Sequence, residues 1–468
     1  MNNLATNPQR PKITVIGTGY LGATHAVCMA ILGFDVLGVD VDQSKIELLR
    51  SGRVPFYEPG LPEKLEEALA SGRLRFTTSL DEAAEFGDVH FVCVGTPQAK
   101  DSAAADLTYV DSAFRALATR ITRKALLVGK STVPIGTASR LSQMVQELSP
   151  IGTELELAWN PEFLREGFAV KDTLHPDRLV FGVNSGWAEA QLREVFEPIL
   201  SAGTPVIVSD LATSELVKVA ANSFLATKIS FINAMAEVCE ATGADVSILA
   251  NALSLDDRIG GRFLKPGLGF GGGCLPKDIR AFKYRAEQLG VGQAVSFLGA
   301  VDSINNRRRI RTVDLIREMV GGNLEGIKVA ALGAAFKPNS DDVRDAPALD
   351  VARMLFMEGA TVSVYDPVAN ANAHRLYPDL NYVDTMDAAL AGADIVALLT
   401  EWDEFRAADP ASMGVLVSHR RIVDGRHALD AGNYRAKGWE YRALGRPSQP
   451  GTVALGRDVR DEALTHSG

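Results

Sequence analysis

The stretch Ile13-Thr-Val-Ile-Gly-Thr-Gly-Tyr-Leu-Gly22, followed by an Ala-rich apolar run, Gly33 and Val36-Leu-Gly-Val-Asp40, decides the fold. It reads as strand, glycine turn, helix and second strand, one βαβ unit. A lone Gly-x-Gly-x-x-Gly is weak evidence, and a glycine-rich turn with no ligand is the competing reading. Here the motif lies between a strand and a helix, and an acidic residue ends the next strand, which is the context of a dinucleotide-binding Rossmann unit. Gly17 allows the tight turn, Gly19 lets backbone approach a pyrophosphate, and Gly22 lets the helix pack closely, with the helix N-terminus facing phosphate charge. Tyr20 and Leu21 lie inside this fingerprint and join the expected cofactor contacts. Asp40 accepts hydrogen bonds from the adenosine ribose and repels a 2′-phosphate, which favours NAD over NADP.

Working outward, apolar runs at residues 89–94 and 125–128 alternate with helical stretches, as in a parallel sheet with helices on both faces. The first domain is expected over residues 11–209. From Leu211 to Thr242 apolar residues recur at helical spacing until Gly243, a suitable C-cap, so one long helix opens a central helical region over residues 210–323. A second unit over residues 324–446 has a strand at Lys328–Leu332, the turn Gly333-Ala-Ala-Phe-Lys-Pro338, a helix from about Ala348, and a strand Thr361–Tyr365 ending at Asp366. Its glycine spacing and the insert 339–347 make it a poor dinucleotide fingerprint, so it holds something else. The expected fold class is α/β: two Rossmann-like, doubly wound parallel-sheet domains joined by the long helix and its helical region. Residues 1–10 and 447–468 read as flexible ends.

The chain has 468 residues, 46% hydrophobic and 23% charged, ordinary values for a multidomain globular protein. A net charge of −10 argues against nucleic acid as a partner. Four cysteines, none in Cys-x-x-Cys spacing, give no expectation of a metal site and suit a reducing, cytoplasmic setting. Residues 1–10 are polar and no later stretch reads as a membrane span, so no membrane partner is expected.

Cys274 follows Gly267-Leu-Gly-Phe-Gly-Gly-Gly273 and precedes Leu275-Pro276-Lys277-Asp278. A proline suits the first turn of a helix, which puts the thiol at a helix N-terminus beside Lys277, where its pKa should fall. The glycines should let a substrate approach backbone. A cysteine taken alone is more often buried packing, the reading kept for Cys28, Cys93 and Cys239; at Cys274 the loop favours a nucleophile. Lys218 and Asn222 are four apart and share a face of the long helix, either as site residues or as a solvent-facing stripe. Glu162 and Glu166 are also four apart, a spacing that as a bare pair is more often surface than site. The basic run Arg307 to Arg309 reads as a solvated helix face or as partners of acidic neighbours.

Together these motifs make the chain resemble the UDP-glucose 6-dehydrogenase family, within the wider UDP-glucose and GDP-mannose dehydrogenase group and nearest to its bacterial members. The resemblance runs from Lys12 to about Leu444. It is carried by Gly269-Phe-Gly-Gly-Gly-Cys-Leu-Pro-Lys-Asp278, Tyr57-Glu-Pro-Gly-Leu61, Gly95-Thr-Pro97, Ser131-Thr-Val-Pro134, Asn160-Pro-Glu162 and Leu216-Val-Lys-Val-Ala-Ala-Asn222. Many members have serine at the position of Gly273. The resemblance implies two-step oxidation of a sugar-nucleotide alcohol to a carboxylate with NAD, through a thiohemiacetal and a thioester on Cys274. It implies that Lys218, Asn222, Asp278, Glu162 and Thr132 serve that chemistry. It adds Lys45, Thr96, Thr132, Glu166 and Arg344 to the cofactor site. For the substrate, UDP-glucose, it implies Glu162, Phe163, Leu164, Arg165, Lys218, Asn222, Lys265, Phe270, Gly271, Lys337 and Arg426, plus Arg258 reaching into a neighbouring subunit of at least a homodimer. GDP-mannose or a UDP-N-acetylhexosamine are the rival substrates. A dehydrogenase with a structural Cys274 and a non-catalytic NAD sensor are the rival functions.

Overall fold

The computed structural model describes residues 10–447. Of the two ends expected to be flexible, only Arg10 and Pro447 are included, and the remainder of that expectation lies outside the described residues.

The first domain is built on strands β1 (Ile13–Ile16), β2 (Val36–Val39), β3 (Leu74–Thr77), β4 (Val89–Val92), β5 (Ala125–Gly129), β6 (Leu155–Trp159), β7 (Leu179–Gly182) and β8 (Val206–Ser209). They form one sheet in the order β3-β2-β1-β4-β5-β6-β7-β8. Strands β1, β2, β4 and β5 are buried along their whole length, as strands covered on both faces must be. The first six strands are mutually parallel, but β7 meets β6 antiparallel, through Trp159 and Gly182, so the sheet departs from the wholly parallel expectation. After β6 the chain runs through residues 160–178, which include the short helix Ala169–Leu174 packed on the helix Tyr20–Ile31, and enters β7 in the opposite direction; this segment carries Glu162 and Glu166 beyond the carboxyl end of β6.

The long helix spans Leu211–Thr242, capped by the Asp210 side chain at its start and by Gly243, in the left-handed region, at its end. Lys218 and Asn222 are buried on it, which removes the reading of a solvent-facing stripe. It packs on the helices Leu275–Gln288 and Phe297–Met319. The basic run on the latter pairs with acids: Arg307 and Arg308 with Glu237, Arg308 with Glu240, and Arg309 with Asp350.

The second sheet holds β9 (Lys328–Leu332), β10 (Thr361–Tyr365), β11 (Asn381–Tyr382), β12 (Ile395–Leu398), β13 (Arg421–Asp424) and β14 (Glu440–Ala443), all parallel, in the order β11-β10-β9-β12-β13-β14. This repeats the order of the first six strands of the other sheet. Asp366 stands after β10 as Asp40 stands after β2, yet its carboxylate accepts the N–H groups of Ala334 and Ala335 and the Trp402 indole N–H at 2.8 to 3.0 Å. The Trp402 indole thus lies against the carboxylate that corresponds in position to Asp40. No helix among the described residues is long and apolar enough to cross a membrane.

Candidate active site

The glycine turn separates what the protein itself requires from what it leaves open. A Cβ on Gly17 would meet Val94 at 2.9 Å, and one on Gly22 would meet the Gly17 carbonyl at 1.8 Å. Gly19 has an ordinary φ of −71°, and a Cβ there would meet nothing within 4 Å. Nothing in the protein itself therefore requires a glycine at this position. The helix it opens, Tyr20–Ile31, has no side-chain cap, so its first N–H groups are free to bind an anion. These features fit a dinucleotide pyrophosphate. Asp40 is buried and accepts from Thr18 N at 2.8 Å, Asp42 N at 3.1 Å and Lys45 Nζ at 3.0 Å. Burial opposes its charge, but these donors outweigh it and hold the carboxyl below the usual range. Tyr20 donates to the buried Glu58 and accepts from Gly167 N, tying the fingerprint helix to the segment after Glu166, and half-buried Leu21 packs against the domain core.

Across the cleft, Cys274 is the N-cap of the helix Leu275–Gln288, with Pro276 in its first turn. Around it, Lys218 Nζ lies 3.0 Å from Glu162 Oε1, Asn222 Nδ2 donates to Asp278 Oδ2 at 2.7 Å, and Lys277 Nζ donates to Asp278 Oδ1 at 2.7 Å. Burial would strip the charge from Lys218, yet Glu162, Cys274 and Asp278 together hold it above the ordinary lysine range. Thr96 and Thr132 of the first domain share a cavity with Lys277 and Asp278, and Thr96 Oγ1 donates to the Thr132 carbonyl at 2.9 Å.

The Cys274 thiol corrects the expectation of a lowered pKa. Its surface opens on the cleft, but protein crowds it on most sides. That desolvation, followed by the charges of Glu162 and Asp278, pushes it up to about 12 against the pull of Lys218 and Lys277. Two carboxylates and burial overcome the helix terminus and two ammonium groups.

The loop glycines are also corrected. They were expected to admit substrate, but a Cβ on Gly269 would meet Asn305 Oδ1 at 2.2 Å, on Gly271 the Asp345 carbonyl at 2.2 Å, and on Gly272 the Phe336 ring. Protein neighbours require them. At Gly273 a Cβ would fall 2.2 Å from the Arg344 guanidinium.

Among the other expected residues, Phe163 lies under both Arg178 and Lys218, with its ring centroid 3.9 and 5.4 Å away, and Leu164 N donates to Glu162 Oε2. Glu166 accepts from Ser340 Oγ at 2.8 Å and faces Arg344, so it spans both domains; burial and then Asp342 push it up to about 7. Lys337 has its charge opposed by burial and lies near Glu166 and Cys274. Arg344 forks onto Asp342.

Three of the expected substrate residues have protein partners in this structure. The Arg165 guanidinium is committed to Asp172. Phe270 is buried with Ala226, Ile279 and Val301 as core. Arg426, expected at a diphosphate, donates to the carbonyls of Leu399, Gly269 and Phe336 and pins the cysteine loop to the second domain. Lys265 is exposed, and Arg258, 89% exposed, pairs only with Asp256 and lies outside this chain's cysteine cluster.

Sequence reasoning passed over Glu215, which lies one turn before Lys218 on the same helix face and caps the Thr132 loop by accepting from Gly136 N and Ala138 N. It also passed over Lys130, a charge set at the end of a wholly buried strand. Their spacing to Lys218 and to the Ser131-Thr-Val-Pro134 motif was the available signal.

A dinucleotide fold facing a second Rossmann-like unit across a cleft, with a cysteine set amid lysines and carboxylates, is the design of an NAD-linked dehydrogenase. The chain belongs to the UDP-glucose/GDP-mannose dehydrogenase family: the family's NAD binding domain matches residues 11–200, its central domain 212–307 and its UDP binding domain 330–431. It is 40% identical to the UDP-glucose 6-dehydrogenase TuaD of Bacillus subtilis (strain 168) over 442 residues, 94% of each chain. Among solved structures it is similar to a UDP-glucose dehydrogenase from Pyrobaculum islandicum, with a TM-score of 0.87 and 39% identity over 95% of this chain and all of that one. It is also similar to a UDP-D-ManNAc dehydrogenase from Pyrococcus horikoshii, with a TM-score of 0.82 and 26% identity over 94% of this chain and 100% of that one.

Proposed function

We propose that this protein oxidises UDP-glucose to UDP-glucuronate in two NAD-dependent steps relayed by Cys274. The observation that carries the reading is the gathering of the Glu162–Lys218 pair and the Asn222–Asp278–Lys277 set around that thiol, with Asp278 and Lys277 facing the first domain's Thr96 and Thr132. NAD would lie along Gly17, Gly19 and Gly22 with its ribose at Asp40, and would supply the hydride acceptor. The balance is one alcohol, two NAD and one water giving one carboxylate, two NADH and three protons.

Lys218 is held as a cation, so it donates to a developing oxyanion with Asn222 and cannot act as the base. The proton of the sugar hydroxyl leaves through water held by Asp278 and Lys218. Cys274 then attacks the aldehyde; because its thiol is held neutral, its proton passes to a neighbouring carboxylate as the C–S bond forms. Oxidation of the thiohemiacetal gives a thioester, and Glu162 with Asp278 directs water onto it, restoring the thiol. The aldehyde stays bound throughout.

The resemblance supports Arg258 of the partner subunit at the substrate. Exposed Phe224, Phe231 and Val238, each seven residues apart on the long helix, support a homodimer through that face. Chemistry that needs a free thiol suits the cytoplasm. The relatives' identities, 39–40% to UDP-glucose enzymes against 26% to the UDP-D-ManNAc one, support glucose as the sugar.

The test is NADH formed per UDP-glucose consumed, with product analysis. Two NADH and UDP-glucuronate are expected. One NADH with free aldehyde overturns the relay, and turnover of GDP-mannose alone overturns the substrate.

A further inference from the structure

Lys130 follows β5 directly and is buried, with no carboxylate paired to it among the described residues. Its Nζ donates to Asn160 Oδ1 at 2.8 Å and lies 5.7 Å from the ring centroids of both Phe91 and Phe196. Burial opposes its charge and brings it down to about 8, with Cys93 and Glu162 raising it and Lys218 lowering it. His25, also fully buried and held neutral, shares this interior. An ammonium in such a place carries a desolvation penalty that a packed methionine would avoid. Its retention calls for a role.

The role follows from what Asn160 supports. Asn160 is fully buried, its N–H donates to the Gly129 carbonyl at 2.8 Å, and its Nδ2 donates to the Val180 carbonyl at 3.0 Å. Two residues on, past Pro161, Glu162 meets Lys218 at 3.0 Å. The Asn160-Pro-Glu162 turn is thus fixed from the β5 side by Lys130 and from the β7 side by Val180, and the position of Glu162 depends on both. We propose that Lys130 is a positioning residue for Glu162, clamping its turn through Asn160 so that the carboxylate stays against Lys218 beside Cys274.

This rests on the dehydrogenase reading, and the experiment separates the two. Lys130→Met keeps the stem and removes the donor and the charge. On whichever nucleotide sugar the wild type oxidises, kcat is expected to fall about 10- to 100-fold, with KM values for sugar and NAD within about threefold, because misplacing a reacting group by about 1 Å has effects of that size. In a double-mutant cycle, Lys130→Met should add nothing to Glu162→Gln. A folded Lys130→Met enzyme with wild-type kcat, or losses that multiply fully with Glu162→Gln, overturns the proposal. If Lys130→Met does not fold, Lys130→Gln, which is neutral but able to donate to Asn160, is put through the same cycle, where full multiplication of the losses again overturns the clamp and their failure to add supports it. A crystal structure of the folded variant decides the matter even if the wild type turns over none of the sugars, an outcome that would sink only the dehydrogenase reading. Separation of Glu162 from Lys218 beyond 4 Å supports the clamp, and an unchanged pair overturns it.

Discussion

Cys274 is where residue-scale chemistry departs most from what its neighbours in the chain imply. A helix N-terminus and an adjacent lysine are visible in a linear reading and both favour thiolate. Glu162 and Asp278 reach the sulfur only through the fold, and with desolvation they push the thiol up to about 12. Roughly one thiol in ten thousand is then ionised at pH 8. Alkylation of Cys274 by iodoacetamide, followed by mass spectrometry, should therefore be slow at pH 7–8 and accelerate with rising pH until about pH 12; a plateau below pH 9 would contradict the assignment. Cys274→Ser should abolish the acid product while leaving a folded, NAD-binding protein. The fingerprint glycines were legible individually because their roles are steric, and they predict opposite outcomes. Gly22→Ala, whose Cβ would fall 1.8 Å from the Gly17 carbonyl, should destabilise the protein by about 1–3 kcal/mol in chemical denaturation. Gly19→Ala meets no protein atom, so it should keep the wild-type melting temperature and weaken NAD binding about tenfold or more by calorimetry, equivalent to about 1.4 kcal/mol.

At the scale of elements, strands and helices were read from alternation, glycine stops and caps, and the long helix Leu211–Thr242 ends at the glycine that its sequence marks. The antiparallel return at β7 was not legible, because strand direction depends on what the chain does between strands rather than within them. The cysteine loop shows the same limit. Its run of glycines suggested an open approach for substrate, whereas Asn305, 32 or more residues along the chain, holds Phe270 by both N–H and carbonyl and leaves no room for a Cβ at Gly269. Arg426 arrives from β13's far end and fastens the same loop by the Gly269 carbonyl. The loop is therefore built as a rigid shelf for Cys274. Asn305→Ala leaves a buried N–H and a buried carbonyl short of their partner, which should lower stability by about 1–3 kcal/mol for each group left unsatisfied. Activity should fall with it at temperatures well below unfolding, and full activity in a variant with a lowered melting temperature would separate the loop's rigidity from catalysis.

The whole molecule sets two sheets of the same strand order on either side of one cleft, and in each the acid after the second strand accepts from the turn after the first: Asp40 from Thr18 N–H, Asp366 from the N–H groups of Ala334 and Ala335. Asp40 also meets Lys45, whereas Asp366 also accepts the Trp402 indole N–H. Neither half holds the cysteine, which hangs from the helical region between them, so closure of the site depends on how the three parts are fastened, as Glu166 with Ser340 and Arg426 with Gly269 do. One expected substrate contact remains outside this frame: Arg258 is 89% exposed, with only Asp256 as partner, near exposed Leu255, Ile259 and Phe263. If a second copy covers this face and Arg258 of the partner subunit completes the site, Phe231→Glu should give monomers by light scattering and lose most activity. The sharper consequence concerns two inactive variants. Cys274→Ser lacks the nucleophile but offers its arginine, and Arg258→Ala offers its nucleophile but lacks the arginine. Dissociated and reassembled together, half of the dimers are mixed, and each mixed dimer holds one complete site, so about a quarter of wild-type activity should return. An arginine acting on its own chain's site leaves the mixture as inactive as its components, because no single chain then carries both groups.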